Sequence, residues 1–169
     1  MMVLPKRPGF IRHYTELQSS EPWPSPDPRS AERFSLGASL GAGLGLRRIG
    51  VNHEVLPPGR RSSPPHAHSH SEELVFVLAG RPEVWIDGHL HPLQPGDAAA
   101  FPAGTGMAHT FINNTDTEVR LLVVGEADRR DDRGFFPLNP ELREFGGHWW
   151  DDAPRRLLGP HDAMPDRPA

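Results

Sequence analysis

Residues 64–80 read PPHAHSHSEELVFVLAG, in which alternating histidines and two adjacent glutamates lead into an apolar run that ends at a glycine. On an extended strand, residues two apart point to the same face, about 7 Å apart along the chain. His66 and His68 can therefore turn their rings toward one ion, about 2 Å from each. Glu73 can join them only if the chain bends through the four residues SHSE that separate it from His68.

A carboxylate at the start of an apolar strand is costly to bury unless a partner compensates its charge, and a metal ion would do so for Glu73. A fourth ligand has to come from a distant segment, and the stretch GDAAAFPAGTGMAHTFINN at residues 96–114 supplies His109. Alternation along this short strand sets His109, Phe111 and Asn113 on one face. The sequence thus predicts a metal centre built from two separate stretches of chain.

The whole chain has 169 residues, which is long enough for one compact domain. Its 20 prolines and 17 glycines favour many turns and an all-β body over long helices. The net charge of −4 is spread among mixed charges, so we expect no nucleic-acid partner. The longest apolar runs are far shorter than the roughly 20 residues that span a bilayer, which predicts no membrane segment. Without cysteine or a secretory signal, the chain is expected to be cytoplasmic.

Changes in composition and hydrophobic periodicity divide the chain into three parts. Residues 1–35 are rich in proline and serine and read as an irregular arm, with Phe10, Tyr14 and Trp23 as its anchors. Residues 36–128 contain short apolar or alternating runs separated by turns, as in a β-sandwich or barrel. Residues 129–169 form a tail held by four aromatic residues, Phe135, Phe136, Trp149 and Trp150. In this tail Asn139 can cap a short helix, with Pro140 in its first turn and Gly146 just past its end.

Two motifs resemble those of the small single-domain cupins. The first runs Gly59, six residues, His66-x-His68, four residues, Glu73, six residues, Gly80, and the second runs Gly96, five residues, Pro102-x-Gly104, four residues, His109, three residues, Asn113. One spacer in the first motif is one residue longer than the family pattern, and one in the second is two residues longer. Both insertions fall in turns, so the set of ligands is retained.

The resemblance covers about residues 45–125 and implies a double-stranded β-helix, the small jelly-roll barrel of the cupins, with an ion inside its mouth. It implies one divalent transition metal held by His66, His68, Glu73 and His109. Three imidazoles and a carboxylate suit zinc, iron, manganese or nickel, and the donor set does not choose among them. The tail also resembles that of bacterial cupins described as sugar-phosphate isomerases.

Other histidines and glutamates offer competing assignments. His70 and Glu72 could replace their neighbours as ligands, but their spacing departs from the cupin pattern. A second H-x-H, formed by His89 and His91, lies on a hairpin without a following ligand and is interpreted as a solvent-exposed rim. The glycine-rich stretch at residues 36–48 does not have the spacing of a phosphate-binding loop, and we interpret it as a lead into a strand.

A metal with open coordination positions favours an enzyme acting on a small polar metabolite, either a dioxygenase or related oxidoreductase, or a sugar-phosphate isomerase. A binding module without turnover stays open beside it. The expected pocket residues are Asn113, Phe111, Val75, Val77 and Arg48. An isomerase would need a phosphate clamp, which Arg48, Arg60 and Arg61 could supply.

The strand that begins at Glu73 is apolar on both faces, so it needs cover on both. With Val75 and Val77 facing inward, Leu74, Phe76 and Leu78 face outward. The tail, the arm or a second subunit could cover them. Because cupins commonly dimerise through such strands, the resemblance implies a homodimer.

Overall fold

The computed structural model describes residues 7–127, 129–145 and 148–166. Its regular elements within these ranges are mostly short strands. The strands are β1 (Leu36–Ser39), β2 (Ile49–Leu56), β3 (Ala67–His68), β4 (Glu73–Ala79), β5 (Glu83–Ile86), β6 (His89–Pro92), β7 (Ala98–Phe101), β8 (His109–Ile112), β9 (Val119–Glu126) and β10 (Gly134–Phe135). One helical turn, α1 (Leu40–Gly43), follows β1, and two 3-10 helices span Tyr14–Glu16 and Pro140–Glu144.

The strands form three antiparallel sheets with the orders β1-β2-β9-β4-β7, β6-β5-β8 and β10-β3. The two larger sheets face each other across one core, whose buried members are Leu56, Val75, Val77, Val84, Phe101, Phe111, Val119 and Leu121. This jelly-roll-like arrangement confirms the predicted all-β cupin fold. In the described part of the chain, however, hydrogen bonding forms three sheets and not one closed barrel.

Strand β4 shows how the sequence pattern fixes the orientation of the sheet. Val75 and Val77 are 1% and 0% exposed and belong to the core, as their alternation predicts. Leu74 and Leu78 lie on the opposite face and are each 42% exposed. Neither the arm nor the tail fully covers this outer face in the described residues.

The glycine-rich stretch forms more than the predicted lead into a strand, because it folds into β1 and the turn α1. A Cβ atom at Gly41 would lie 2.8 Å from the carbonyl oxygen of Ile49 and 2.9 Å from the amide nitrogen of Val51. Only glycine leaves room for α1 to lie this close to β2. The glycines here serve backbone packing.

The N-terminal arm is held to the body by backbone and ring contacts. Trp23 pairs with Ser35 and Phe34 through backbone hydrogen bonds, and its indole lies directly on Gly37, where a Cβ would come within 1.9 Å of the ring. The Tyr14 ring stacks on His53 at 4.0 Å. The third predicted anchor, Phe10, is 71% exposed, so its assignment as an anchor was wrong.

The C-terminal tail covers the outer face of the three-stranded sheet. A second buried cluster contains residues of both the sheet and the tail: Ala67, Trp85, Ala108, Ile112, Trp150 and Ala163. The indole of Trp85 donates a hydrogen bond to the carbonyl of His161 at 2.8 Å. Burial of two tryptophans explains why this proline-rich tail is held against the sheet.

The short helix expected in the tail is a 3-10 helix that begins at Pro140. Asn139 precedes it, but the Asn139 side chain makes no capping hydrogen bond and instead donates to Glu141. The predicted end at Gly146 lies outside the described residues. The division into arm, body and tail stays a prediction.

No helix in residues 7–127, 129–145 or 148–166 has both the length and the hydropathy needed to cross a membrane. The cytoplasmic location stays a prediction from the sequence.

Candidate metal centre

The candidate centre begins with a pairing between two histidines on different segments. The backbones of His66 and His109 exchange two hydrogen bonds of 3.1 and 3.0 Å, and their rings lie 4.9 Å apart. The Phe101 ring stacks on the His109 ring at 3.4 Å with an angle of 6°. The two stretches of chain that carry the cupin-like motifs therefore meet at this point.

The bend that the sequence required between His68 and Glu73 is stabilised by a carboxylate from the tail. The backbone amides of His70 and Ser71 donate to one oxygen of Asp132, at 2.9 and 3.1 Å. These bonds turn the chain through residues 69–72 before β4 begins at Glu73. The bend thus carries the Glu73 carboxylate to the same place as the histidine rings.

Three of the predicted ligands form a compact group. One ligand atom each from His66, His68 and Glu73 lies within 4.8 Å of the others. His109 lies beside this group, because its Nε2–H donates a hydrogen bond to Oε1 of Glu73 at 3.0 Å. The four predicted side chains are thus brought together, with His109 connected through Glu73.

Two of the imidazoles are oriented by hydrogen bonds on their far sides. The Nδ1–H of His66 donates to the carbonyl of Pro64 at 3.0 Å, and the Nδ1–H of His68 donates to Asp132 at 2.6 Å. In both rings this leaves the Nε2 lone pair free, which is the arrangement commonly found around metal-ligating histidines. The contacts of these two rings therefore fit a bound metal.

The charges of the group also favour metal binding. Burial, followed by the neighbouring His109 and His68, lowers the pKa of His66, so this imidazole is neutral at neutral pH. Burial tends to raise the pKa of Glu73, but the hydrogen bond from His109 and the nearby imidazoles outweigh it and lower this pKa. A neutral imidazole and an ionised carboxylate are the forms that coordinate a cation.

A cavity of about 370 Å³ adjoins the centre. Its walls combine the four candidate ligands with aromatic and aliphatic side chains from the arm and both sheets. The lining residues are Trp23, Pro24, Pro26, Phe34, Asn52, Glu54, Ser62, Ser63, Pro64, His66, His68, Glu73, Val75, His109, Phe111, Leu121 and Val123. Among the described residues, no lysine or arginine lines it.

Of the five residues expected in the pocket, the structure places some in the cavity lining and others outside it. Val75 and Phe111 line the cavity, whereas Val77 lies in the core and outside the lining. Asn113 is fully buried, but its amide donates to the carbonyls of Leu56 and Thr117 and holds a turn. Arg48 precedes β2, is exposed to solvent and does not line the cavity.

The other two arginines considered for a phosphate clamp are engaged elsewhere. Arg61 is 5% exposed and forms a bidentate pair with Glu32 of the arm at 2.7 and 2.8 Å. Arg60 donates to the backbone carbonyl of Phe34 at 3.3 Å. These contacts hold the arm in place and leave neither arginine in the cavity lining.

The competing residues lie away from the centre. His70 and Glu72 are exposed, although His70 shares a 2.7 Å hydrogen bond with Ser69. His89 and His91 are exposed on β6, at the edge of the three-stranded sheet. The geometry therefore separates the two H-x-H sequences as expected.

Sequence reasoning missed three residues that shape the site: Trp23 as a cavity wall, Asp132 as the partner of His68, and Glu54 as a second buried carboxylate. Asp132 lies in the charged run RRDDR, which gives no signal of a partner in the body. Glu54 follows Asn52 and His53 in β2, so the sequence gives no sign that its carboxylate is buried.

Residues 52–125 match the model of the cupin domain family. The chain is also similar to a cupin-superfamily sugar phosphate isomerase from Silicibacter pomeroyi, with 35% identity and a TM-score of 0.58, covering 63% of this chain and 73% of that one. Together with the fold, these similarities show that the chain belongs to the cupin superfamily.

Two curated relatives come from Streptomyces. Protein SchB of Streptomyces halstedii is 41% identical over 81 residues, which are 47% of this chain and 56% of that protein. Polyketide synthase CurC of Streptomyces cyaneus is 40% identical over 68 residues, which are 40% of this chain and 42% of that protein. The chain thus matches only about half the length of these relatives.

Proposed function

We propose that this cupin is a metal-dependent enzyme whose substrate is a small, mostly apolar molecule that bears carbonyl or hydroxyl oxygens. The observation that carries the proposal is the shared cavity, in which the four candidate ligands adjoin aromatic and aliphatic walls. His66, His68, Glu73 and His109 would hold the metal. When bound, a divalent transition metal supplies Lewis acidity toward a substrate oxygen.

The walls of the cavity limit the chemistry of the substrate. Trp23 and Phe34 come from the arm, and Phe111 comes from the facing sheet. Such rings favour flat or aromatic molecules. The sequence predicted a small polar metabolite, but the lining favours a molecule that also has substantial apolar surface.

The curated relatives support a particular class of substrate. One of them is named a polyketide synthase, and polyketides are carbon chains or rings that carry repeated ketone and phenol oxygens. Molecules of this kind combine apolar surface with the oxygens that a metal polarises. We therefore propose that the substrate is an aromatic polyketide or a similar aryl ketone. The reaction would be an enolisation, a cyclisation or an oxidation.

Sugar-phosphate isomerisation is the second candidate, and the similarity to the Silicibacter pomeroyi structure favours it. A phosphate group would need cationic donors. Arg48, Arg60 and Arg61 do not line the cavity, and Arg61 is already paired with Glu32. We therefore consider sugar phosphates less well supported as substrates than aryl ketones.

Metal content and turnover test the proposal together. We expect untagged protein to retain a transition metal, and His66→Ala, His68→Ala or His109→Ala to lower the metal content about tenfold or more. His89→Ala and His91→Ala serve as matched controls with the same H-x-H spacing. Equal metal content in both sets would reject the ligand assignment.

Turnover separates an enzyme from a binding module. Aryl ketones, aromatic polyketides and sugar phosphates are incubated with the metal-loaded protein, and oxygen uptake and products are measured. Conversion of an aryl ketone or polyketide supports the proposal, whereas conversion of sugar phosphates alone supports the isomerase. Binding without conversion in any set would support a small-molecule-binding cupin.

We also propose a homodimer formed through the outer face of the five-stranded sheet. Leu74 and Leu78 are half-exposed there, and Leu74, Ala100 and Val124 line a shallow apolar groove. Light scattering on eluted protein should give twice the chain mass, and Leu74→Asp should give the monomer. Leu157→Asp, at a side chain 95% exposed on the tail, is the control and should leave the dimer intact.

A further inference from the structure

A second carboxylate, Glu54, lies in the cavity beside the four candidate ligands. It is carried by β2 and paired in register with Leu121 on β9, which in turn is paired with Val77 on β4. Directly paired residues share a face, and Val77 shares its face with Glu73. Glu54 therefore lies on the same inner face as Glu73, two strands away.

The surroundings of Glu54 are unusual for an acid. The residue is 6% exposed, and its Oε2 accepts a hydrogen bond from the Ser35 hydroxyl at 2.7 Å. Among the described residues no cationic side chain pairs with it, and its Oε1 has no hydrogen-bond partner. Its register neighbours are Gly37 and Leu121, neither of which offers a polar side chain.

These surroundings favour the neutral acid. Burial raises the pKa of Glu54 to about 7, the hydrogen bond from Ser35 opposes this effect, and the nearby Glu73 adds to it. A carboxylic acid with a pKa near the working pH can both give and take a proton. The residue lines the same cavity as the metal ligands, so a bound molecule can reach it.

We infer that Glu54 is the acid–base residue of this cavity and exchanges a proton with a carbonyl-bearing ligand, an inference that rests on the proposed substrate class. The O–H bond of Glu54 breaks as its proton moves to the carbonyl oxygen of the ligand, where a new O–H bond forms. The carboxylate then takes a proton from the carbon beside that carbonyl. The C–H electron pair becomes the C=C bond of the enol as the π pair of the C=O bond moves onto the hydroxyl oxygen, and Glu54 is neutral again.

Deuterium exchange tests this step directly. Phenylacetone, a ketone that carries an aromatic ring beside its exchangeable CH2 group, is incubated with the metal-loaded protein in heavy water, and loss of the proton signal beside the carbonyl is followed by NMR. We expect exchange above the buffer rate, a loss of at least about a hundredfold in Glu54→Gln, and partial rescue in Glu54→Asp. Glu118→Gln, at an exposed carboxylate outside the cavity, should exchange at the wild-type rate.

Wild-type exchange no faster than buffer, or equal exchange by Glu54→Gln, would overturn the inference. Metal content measured on the same samples separates this result from failure of the proposed function. Wild-type exchange that Glu54→Gln retains contradicts the role of Glu54 alone. Wild-type protein that holds metal but does not exchange contradicts the proposed substrate class as well, whereas protein without metal contradicts the metal centre.

Infrared spectra of the wild-type protein give a second readout that needs no variant. A protonated Glu54 should show a carboxylic-acid C=O band at neutral pH, and this band should shift when phenylacetone is added. A band that does not respond to phenylacetone would contradict contact between Glu54 and the ligand.

Discussion

Two carboxylates on the inner face of one sheet have opposite surroundings. Glu73 accepts a hydrogen bond from His109 and lies among imidazoles, and these neighbours lower its pKa. Glu54 has the Ser35 hydroxyl as its hydrogen-bond partner, and burial raises its pKa to about 7. The surroundings of Glu73 therefore favour the anionic form that the proposed metal ligand needs, whereas those of Glu54 favour the neutral acid.

The difference shows that the neighbours of a buried carboxylate decide its chemistry. Three imidazoles around Glu73 provide a set of donors for a cation, whereas Ser35 and the apolar register neighbours of Glu54 provide none. These different surroundings predict that the same substitution, Glu→Gln, has different effects on metal binding at Glu73 and at Glu54.

The largest difference is expected in metal content. Glu73→Gln removes a charged ligand and should lower metal affinity by more than the roughly 10–100-fold that loss of an outer contact costs. Glu54→Gln should retain the wild-type metal content, because Glu54 is not a ligand. Elemental analysis of the two variants side by side measures this, and similar metal loss in both would break the comparison.

The next effect is a pH dependence of stability that belongs to Glu54. Between its ordinary pKa of 4.5 and about 7, the folded protein keeps a proton on Glu54 that the unfolded chain has lost. The free energy of unfolding should therefore fall as pH rises through this window, by about 3 kcal/mol from this residue. Urea unfolding at several pH values should show a smaller fall in Glu54→Gln, and parallel curves for the two proteins would contradict it.

A third carboxylate, Asp132, acts on the centre through His68. Asp132→Asn weakens the hydrogen bond that orients the His68 ring, and it should lower metal affinity by about 10–100-fold. Asp131→Asn is the matched control, because Asp131 accepts a hydrogen bond from Arg129 at the surface and does not contact His68. Metal titrations distinguish the two, and equal affinities would show that the tail does not support the centre.

The smallest effect is expected from Ser35→Ala. Loss of one hydroxyl donor removes a hydrogen bond worth about 1 kcal/mol and should raise the pKa of Glu54 further, since this bond favours the ionised form. The Glu54 C=O band in infrared titrations should then persist to higher pH than in the wild type. An unchanged or lower titration midpoint would contradict the assigned role of Ser35.

Much of the fold could be predicted from local patterns. The spacing of the two motifs specifies the turns and the ligands. Once Glu73 is assigned to the inner face, the two-residue period of a strand places Val75 and Val77 in the core. The residues that organise the centre from outside, such as Asp132 and Trp23, could not be predicted in the same way. They lie in segments without periodicity, and their contacts depend on how the arm and the tail pack on the sheets.

The pocket residues were harder to assign than the ligands for a related reason. Alternation predicts which face of the sheet a residue is on, but not whether it lines a cavity or packs in the core. Val77 and Asn113 were therefore expected in the cavity, although both are buried beside it. Arg48 was proposed because it lies near the first motif in the sequence. In the structure it precedes β2 and does not line the cavity. Glu54 was overlooked because its sequence context resembles an ordinary strand.

The central claim is that His66, His68, Glu73 and His109 hold one transition metal inside this cupin fold. Anomalous diffraction at the metal absorption edge, on crystals of untagged protein, tests it most directly. We predict a single strong peak at bonding distance, about 2 Å, from the four side chains. A peak at His89 and His91 instead, or none near these four residues, would contradict the account.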